Sequence, residues 1–83
     1  MSQKLYIGNL PLAATEADLR SKFAQFGTVE SASVVTDDQT GRSRRFGFVE
    51  MASDSDAQMA INRLNMTQYD EATMSVRVAR IDE

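Results

Sequence analysis

Arg44-Arg45-Phe46-Gly47-Phe48-Val49-Glu50-Met51 is the stretch whose alternation decides the fold. Successive side chains of a strand point to opposite faces. Arg44, Phe46, Phe48 and Glu50 therefore share one face, while Val49 and Met51 share the other. The same division runs outward from this strand into three more. In Leu5-Tyr6-Ile7-Gly8-Asn9-Leu10 it separates Leu5 and Ile7 from Tyr6. Between Val29 and Val35 it separates Ala32 and Val34 from Ser31 and Ser33, and between Met74 and Ala79 it separates Met74, Val76 and Val78 from Ser75 and Arg77. Leu5, Ile7, Ala32, Val34, Val49, Met51, Met74, Val76 and Val78, on one parity, are all aliphatic or Met. The other carries rings, serines and charges.

Two helices read between these strands. Thr15 followed by Asp18 has the form of a capping box, with Asp for the usual Glu. Leu19, Phe23 and Phe26 then recur on one helical face, and Gly27 is expected to cap the C-terminus. Ser53 with Asp54 and Asp56 opens a second helix with Ala57, Ala60, Ile61 and Leu64 inward, and Asn65 suits a left-handed residue closing it. Asp37-Asp38-Gln39-Thr40-Gly41 reads as the turn of a hairpin joining the second and third strands. The order β-α-β-β-α-β predicts an α+β, ferredoxin-like sandwich, a four-stranded antiparallel sheet with both helices on one face. The helices must cover the aliphatic parity, since burying Arg44, Glu50 and Arg77 unpaired would cost several kcal/mol each. The opposite assignment would expose the whole aliphatic set to hide three rings.

At 83 residues the chain is expected to be one domain spanning 1–83, burying only about 60% of its unfolded surface. It has no cysteine and no histidine, which removes disulfides, thiolate metal sites and the commonest general base. No cofactor is expected. Asn9 and Pro11 interrupt the apolar run near the N-terminus, so it does not read as a signal peptide, and no run approaches a membrane span. A cytoplasmic protein is the expectation. The net charge of −3 is unevenly spread. Arg42, Arg44 and Arg45 cluster beside the aromatic strand, and Arg77 and Arg80 lie near the C-terminus. Glu16, Asp18, Asp54 and Asp56 suit helix N-termini. Over a Debye length of about 8–10 Å that local arrangement matters more than the sum.

Tyr6, Phe46 and Phe48 thus stand exposed on neighbouring strands, and exposed apolar patches mark binding sites. Rings that stack bases beside cations that hold phosphates are the usual means of binding single-stranded nucleic acid. The chain resembles, over almost its whole length, the RNA recognition motif family. Leu5 to Leu10 matches that family's strand-one motif throughout, and Arg44 to Met51 matches its strand-three motif except at Arg45 and Met51. The short form is similar to the stand-alone single-motif proteins of bacteria. The resemblance implies that Tyr6 and Phe48 each stack a base, that Phe46 wedges between sugars, and that Arg44 pairs with phosphate. It also implies that the last strand, around Arg77 to Arg80, meets base edges. Arg45 stands where the family has glycine and is either an edge residue or, with Arg42, a further phosphate contact. Met51 replaces an aromatic but is inward, and Met66 stands where a glycine commonly follows the second helix.

Lys4 either touches phosphate or solvates the strand end, and Asn9 either caps its loop or bonds a base. Tyr69 is expected to pack on the rear. Asp37 and Asp38 lack the ligand count of a calcium loop. Two other classes share this topology. An acylphosphatase-like enzyme needs an arginine after the first strand, and Gly8 to Ala14 holds no cation. A protein-interaction module often loses the rings that this chain keeps. The expected partner is single-stranded RNA bound by a monomer, with single-stranded DNA and a protein partner left open as alternatives.

Overall fold

A computed structural model describes residues 2–70 and 72–79. The elements are β1 (Gln3–Gly8), α1 (Glu16–Ala24), β2 (Val29–Thr36), β3 (Ser43–Met51), α2 (Asp54–Leu64), β4 (Gln68–Tyr69), β5 (Ala72–Thr73) and β6 (Ser75–Val78). β2, β3, β1 and β6 form an antiparallel sheet in that order. The two strands carrying aromatics, β1 and β3, are therefore its central pair. Beyond the expected four strands, β4 and β5 form a separate two-stranded hairpin between α2 and β6.

The core is the aliphatic parity closed by the helices. Leu5, Ile7, Ala32, Val49, Met51, Met74 and Val76 are buried together with Leu19 and Phe23 of α1 and Ala57 and Ala60 of α2. Fully burying a side chain of the Val, Leu, Ile, Phe or Met class is worth about 1.5–3 kcal/mol, so this layer is what holds the sheet to the helices. Phe26, Val34, Ile61 and Leu64 pack around it, half-buried. Val78 departs from expectation. It pairs with buried Leu5, but at the end of an edge strand it remains 42% exposed.

Both helix starts follow the sequence. Thr15 Oγ1 accepts from the Asp18 N–H and Asp18 Oδ2 accepts from the Thr15 N–H, each at 3.2 Å, completing the box. Ser53 Oγ accepts from the Asp56 N–H at 3.2 Å. The helix ends differ. α1 stops at Ala24 with Gln25 as its cap, so Gly27 is not the capping residue. Gly27 is instead a point of close approach, because a Cβ there would collide with the Asp56 carboxylate at the start of α2. Asn65 is extended (φ −61°, ψ 133°), and Met66 next to it takes the left-handed conformation (φ 65°). Asn65 is held there because its Oδ1 accepts from the Val76 N–H at 2.9 Å, tying the end of α2 to β6.

Candidate nucleic-acid interface

The antiparallel register sets the rings side by side. Tyr6 pairs with Phe48 on one flank and Arg77 on the other, and Gly8 pairs with Phe46. Tyr6 and Phe46 are stacked with centroids 5.8 Å apart at 29°. Phe48 meets Tyr6 edge-on at 5.9 Å and Phe46 edge-on at 6.2 Å. These are the favoured aromatic geometries, so the rings brace one another. All three are half-buried on the side away from the core. Gly8 is part of this arrangement, because a Cβ there would stand 2.9 Å from Tyr6 Cε1. A side chain at that position would push the tyrosine ring off the sheet.

Cations lie on the same rings. The Arg77 guanidinium is 4.7 Å from the Tyr6 centroid, and Lys4 Nζ is 5.0 Å from the Phe48 centroid. Arg77 is a direct cross-strand neighbour of Tyr6, and Lys4 is a diagonal neighbour of Phe48. Sequence reasoning named both residues but not these pairings, which need the register of the strands.

The other expected cations are placed differently. Arg45 is left-handed (φ 65°), a conformation that favours the glycine of the family pattern. Its Nε–H donates to the Leu10 carbonyl at 2.9 Å, and its own carbonyl accepts from the Leu10 N–H at 2.8 Å. The side chain thereby clamps the loop after β1. With its guanidinium bonded to that loop, Arg45 borders a cleft with Pro11, Leu12, Ala13, Asp70 and Ala72. Arg44 and Arg42 are exposed, and Arg44 is near enough to help hold the Asp37 carboxyl below its ordinary range. The main cause of that shift is that Asp37 accepts from the Gln39 and Thr40 N–H groups at 2.8 and 3.1 Å, which builds the hairpin turn as expected. Asn9 is also left-handed (φ 58°), and its Nδ2–H donates to the Thr73 carbonyl at 2.7 Å. Arg80 lies outside the described residues.

Glu50 shares the open face and was named there only as a charge too costly to bury. Ser2 Oγ donates to its Oε2 at 2.8 Å, and Ser31 Oγ donates to its Oε1 at 3.5 Å. On the rear, Tyr69 packs against the core, with Lys22 Nζ 4.3 Å from its ring centroid. Burial, followed by a hydrogen bond to Asp18, pushes the Tyr69 hydroxyl up to about 12. That bond is also the largest cause holding the Asp18 carboxyl below its usual range.

Residues 5–75 match the RNA recognition motif family. The chain belongs to that family. It is 45% identical over 78 residues to the 31 kDa chloroplastic ribonucleoprotein of Nicotiana sylvestris, covering 94% of this chain but 25% of that protein. It is 41% identical to RbpD of the cyanobacterium Nostoc sp., covering 92% of this chain and 81% of RbpD. Among solved structures, RNA binding protein PG1 superposes with a TM-score of 0.90 at 43% identity, covering 93% of each chain. A Sex-lethal protein–RNA complex superposes with a TM-score of 0.87 at 33% identity, covering 93% of this chain and 47% of that one. The enzyme alternative falls with the family assignment, since these matches are to RNA-binding modules. Among the described residues no helix is long and apolar enough to cross a membrane.

Proposed function

We propose that the open face of the sheet binds single-stranded RNA, with Tyr6 and Phe48 each stacking a base and Phe46 lying against the sugars between them. The observation that carries this is the mutually braced trio of rings on the central strands, flanked by Lys4 and Arg77. A base entering at Tyr6 either slides between the ring and the Arg77 guanidinium or displaces the guanidinium toward phosphate. Either path exchanges a cation–π contact for base stacking of about 1–3 kcal/mol per base.

Arg44 and Arg42 supply phosphate contacts at the hairpin end, and Arg77 supplies them at the opposite edge of the sheet. Arg45 and Asn9 act mainly by shaping the loop that borders the rings, since each already bonds a main-chain carbonyl. Two stacked bases and a few phosphate contacts correspond to roughly micromolar affinity, about −8 kcal/mol. Support for RNA as ligand comes from the family, and from a relative of this fold solved with RNA at 33% identity. A role in RNA metabolism or post-transcriptional regulation follows from such a module.

The deciding experiment is titration of the labelled domain with short single-stranded RNA while amide shifts are followed. Shifts should concentrate on Lys4 to Gly8, Phe46 to Glu50 and Ser75 to Arg77. Shifts confined to α1, α2 and the β4–β5 hairpin would refute the open face as the site.

A further inference from the structure

Glu50 is a carboxylate on a face otherwise suited to anions. On the sheet it stands between Lys4 of β1 and Ser31 of β2. It lies two residues beyond Phe48 on the same strand and face, about 6.6 Å along the chain. A negative charge there repels phosphate, so its presence works against unselective capture of a polyanion. The two serine hydroxyls, Ser2 on Oε2 and Ser31 on Oε1, orient the carboxylate. An ionised carboxylate offers about four lone-pair sites, so acceptor capacity remains on both oxygens.

The two acceptor oxygens of this carboxylate suit a ligand with two adjacent N–H donors, as in the fork of an arginine. Among the four RNA bases only guanine has such an edge, with N1–H beside its N2 amino group. Adenine and cytosine pair one amino group with an acceptor nitrogen, and uracil sets N3–H between carbonyls that a carboxylate repels. In a duplex the guanine edge is paired, and carboxylates there read cytosine. In a single strand the edge is free to be read.

We propose that Glu50, oriented by Ser2 and Ser31, selects guanine at the nucleotide stacked on Phe48. This rests on the stacking mode proposed above and gives the open face a sequence preference that rings alone do not supply.

The test measures binding of uridine pentamers whose central base is guanine, adenine, cytosine, uracil, inosine or 7-deazaguanine. The guanine pentamer should bind about tenfold more tightly than the all-uridine one, within the range of a bidentate base contact. Inosine, lacking the amino group, should lose most of that gain, and 7-deazaguanine should keep it. Glu50→Gln should bring the natural bases within about twofold of one another while tightening the all-uridine pentamer. The inosine comparison uses the unaltered protein and is independent of how any variant folds. Pentamers that bind without a guanine preference, or a preference that survives Glu50→Gln, would overturn the assignment and leave stacking intact. If no pentamer binds, the stacking mode fails as well.

Discussion

The two faces of this sheet are cut from the same four strands, yet they obey opposite rules. Leu5 and Tyr6 are consecutive, and so are Phe48 and Val49. Leu5 and Val49 are fully buried under the helices, while Tyr6 and Phe48 are half-buried among charged and hydroxylated neighbours. On the covered face, apolar area removed from water supplies stability. On the open face, apolar area left in contact with water becomes available to a ligand. Period-two alternation lets one strand serve both ends without compromise, because a change at one residue leaves the other face unaltered.

Substitutions at adjacent positions should separate the faces. Leu5→Ala should have the largest effect, lowering stability by about 2–5 kcal/mol in chemical denaturation through the cavity it leaves. The folded fraction should still bind RNA. Its neighbour Tyr6→Ala, or Phe48→Ala, should weaken RNA binding by about 1–3 kcal/mol in a titration, with a smaller loss of stability than Leu5→Ala. If Leu5→Ala reduced the intrinsic affinity more than Tyr6→Ala, the division of labour would be reversed. Arg44→Ala should act more weakly and alike on all sequences, flattening the slope of log affinity against log salt by about 0.7. An unchanged slope would remove Arg44 from the phosphate path.

The alternation itself was plain in the sequence, because nearly every inward position is aliphatic or Met and nearly every outward one is polar or aromatic. The capping box at Thr15 was equally plain, since both of its residues are local. What escaped was set by tertiary partners. Asn65 has the composition of a left-handed cap, but Val76 captures its amide oxygen and Met66 makes the turn instead. Gly27 looked like a helix terminator, whereas its lack of a Cβ makes room for Asp56. The β4–β5 hairpin has strands too short for any period, and the left-handed residue of its turn is Asp70 rather than a glycine. At the site, the rings could be found by parity. The cations on Tyr6 and Phe48 and the serines on Glu50 depend on strand register, and the clamp from Arg45 to Leu10 depends on a loop returning to β3.

The rear offers the smallest test of the same contrast. The Asp18–Tyr69 hydrogen bond lies behind the sheet, so it should influence stability and not binding. The Asp18 carboxyl is shifted downward, so its contribution is present above its ordinary value of 3.8 and is lost as pH falls through the lowered folded value. Tyr69 is shifted upward, so its contribution is intact below 10.0 and is lost as pH rises toward about 12. Thermal melts of Tyr69→Phe should show less sensitivity in that alkaline window, with RNA affinity at neutral pH unchanged. A drop in affinity would tie the rear of the domain to the open face.

Placing β1 and β3 at the centre of the sheet has a kinetic consequence. Each is hydrogen-bonded to a neighbouring strand along both edges, while β2 and β6, among the described residues, each pair with a strand of this sheet along one edge only. Local openings begin where such bonds are fewest, so the main-chain amides of the ring-bearing strands should be among the last to exchange with solvent deuterium. The proposed landing surface for a nucleotide is then already set before any encounter, and motion accompanying binding there would belong to the side chains above it and to the loops around it.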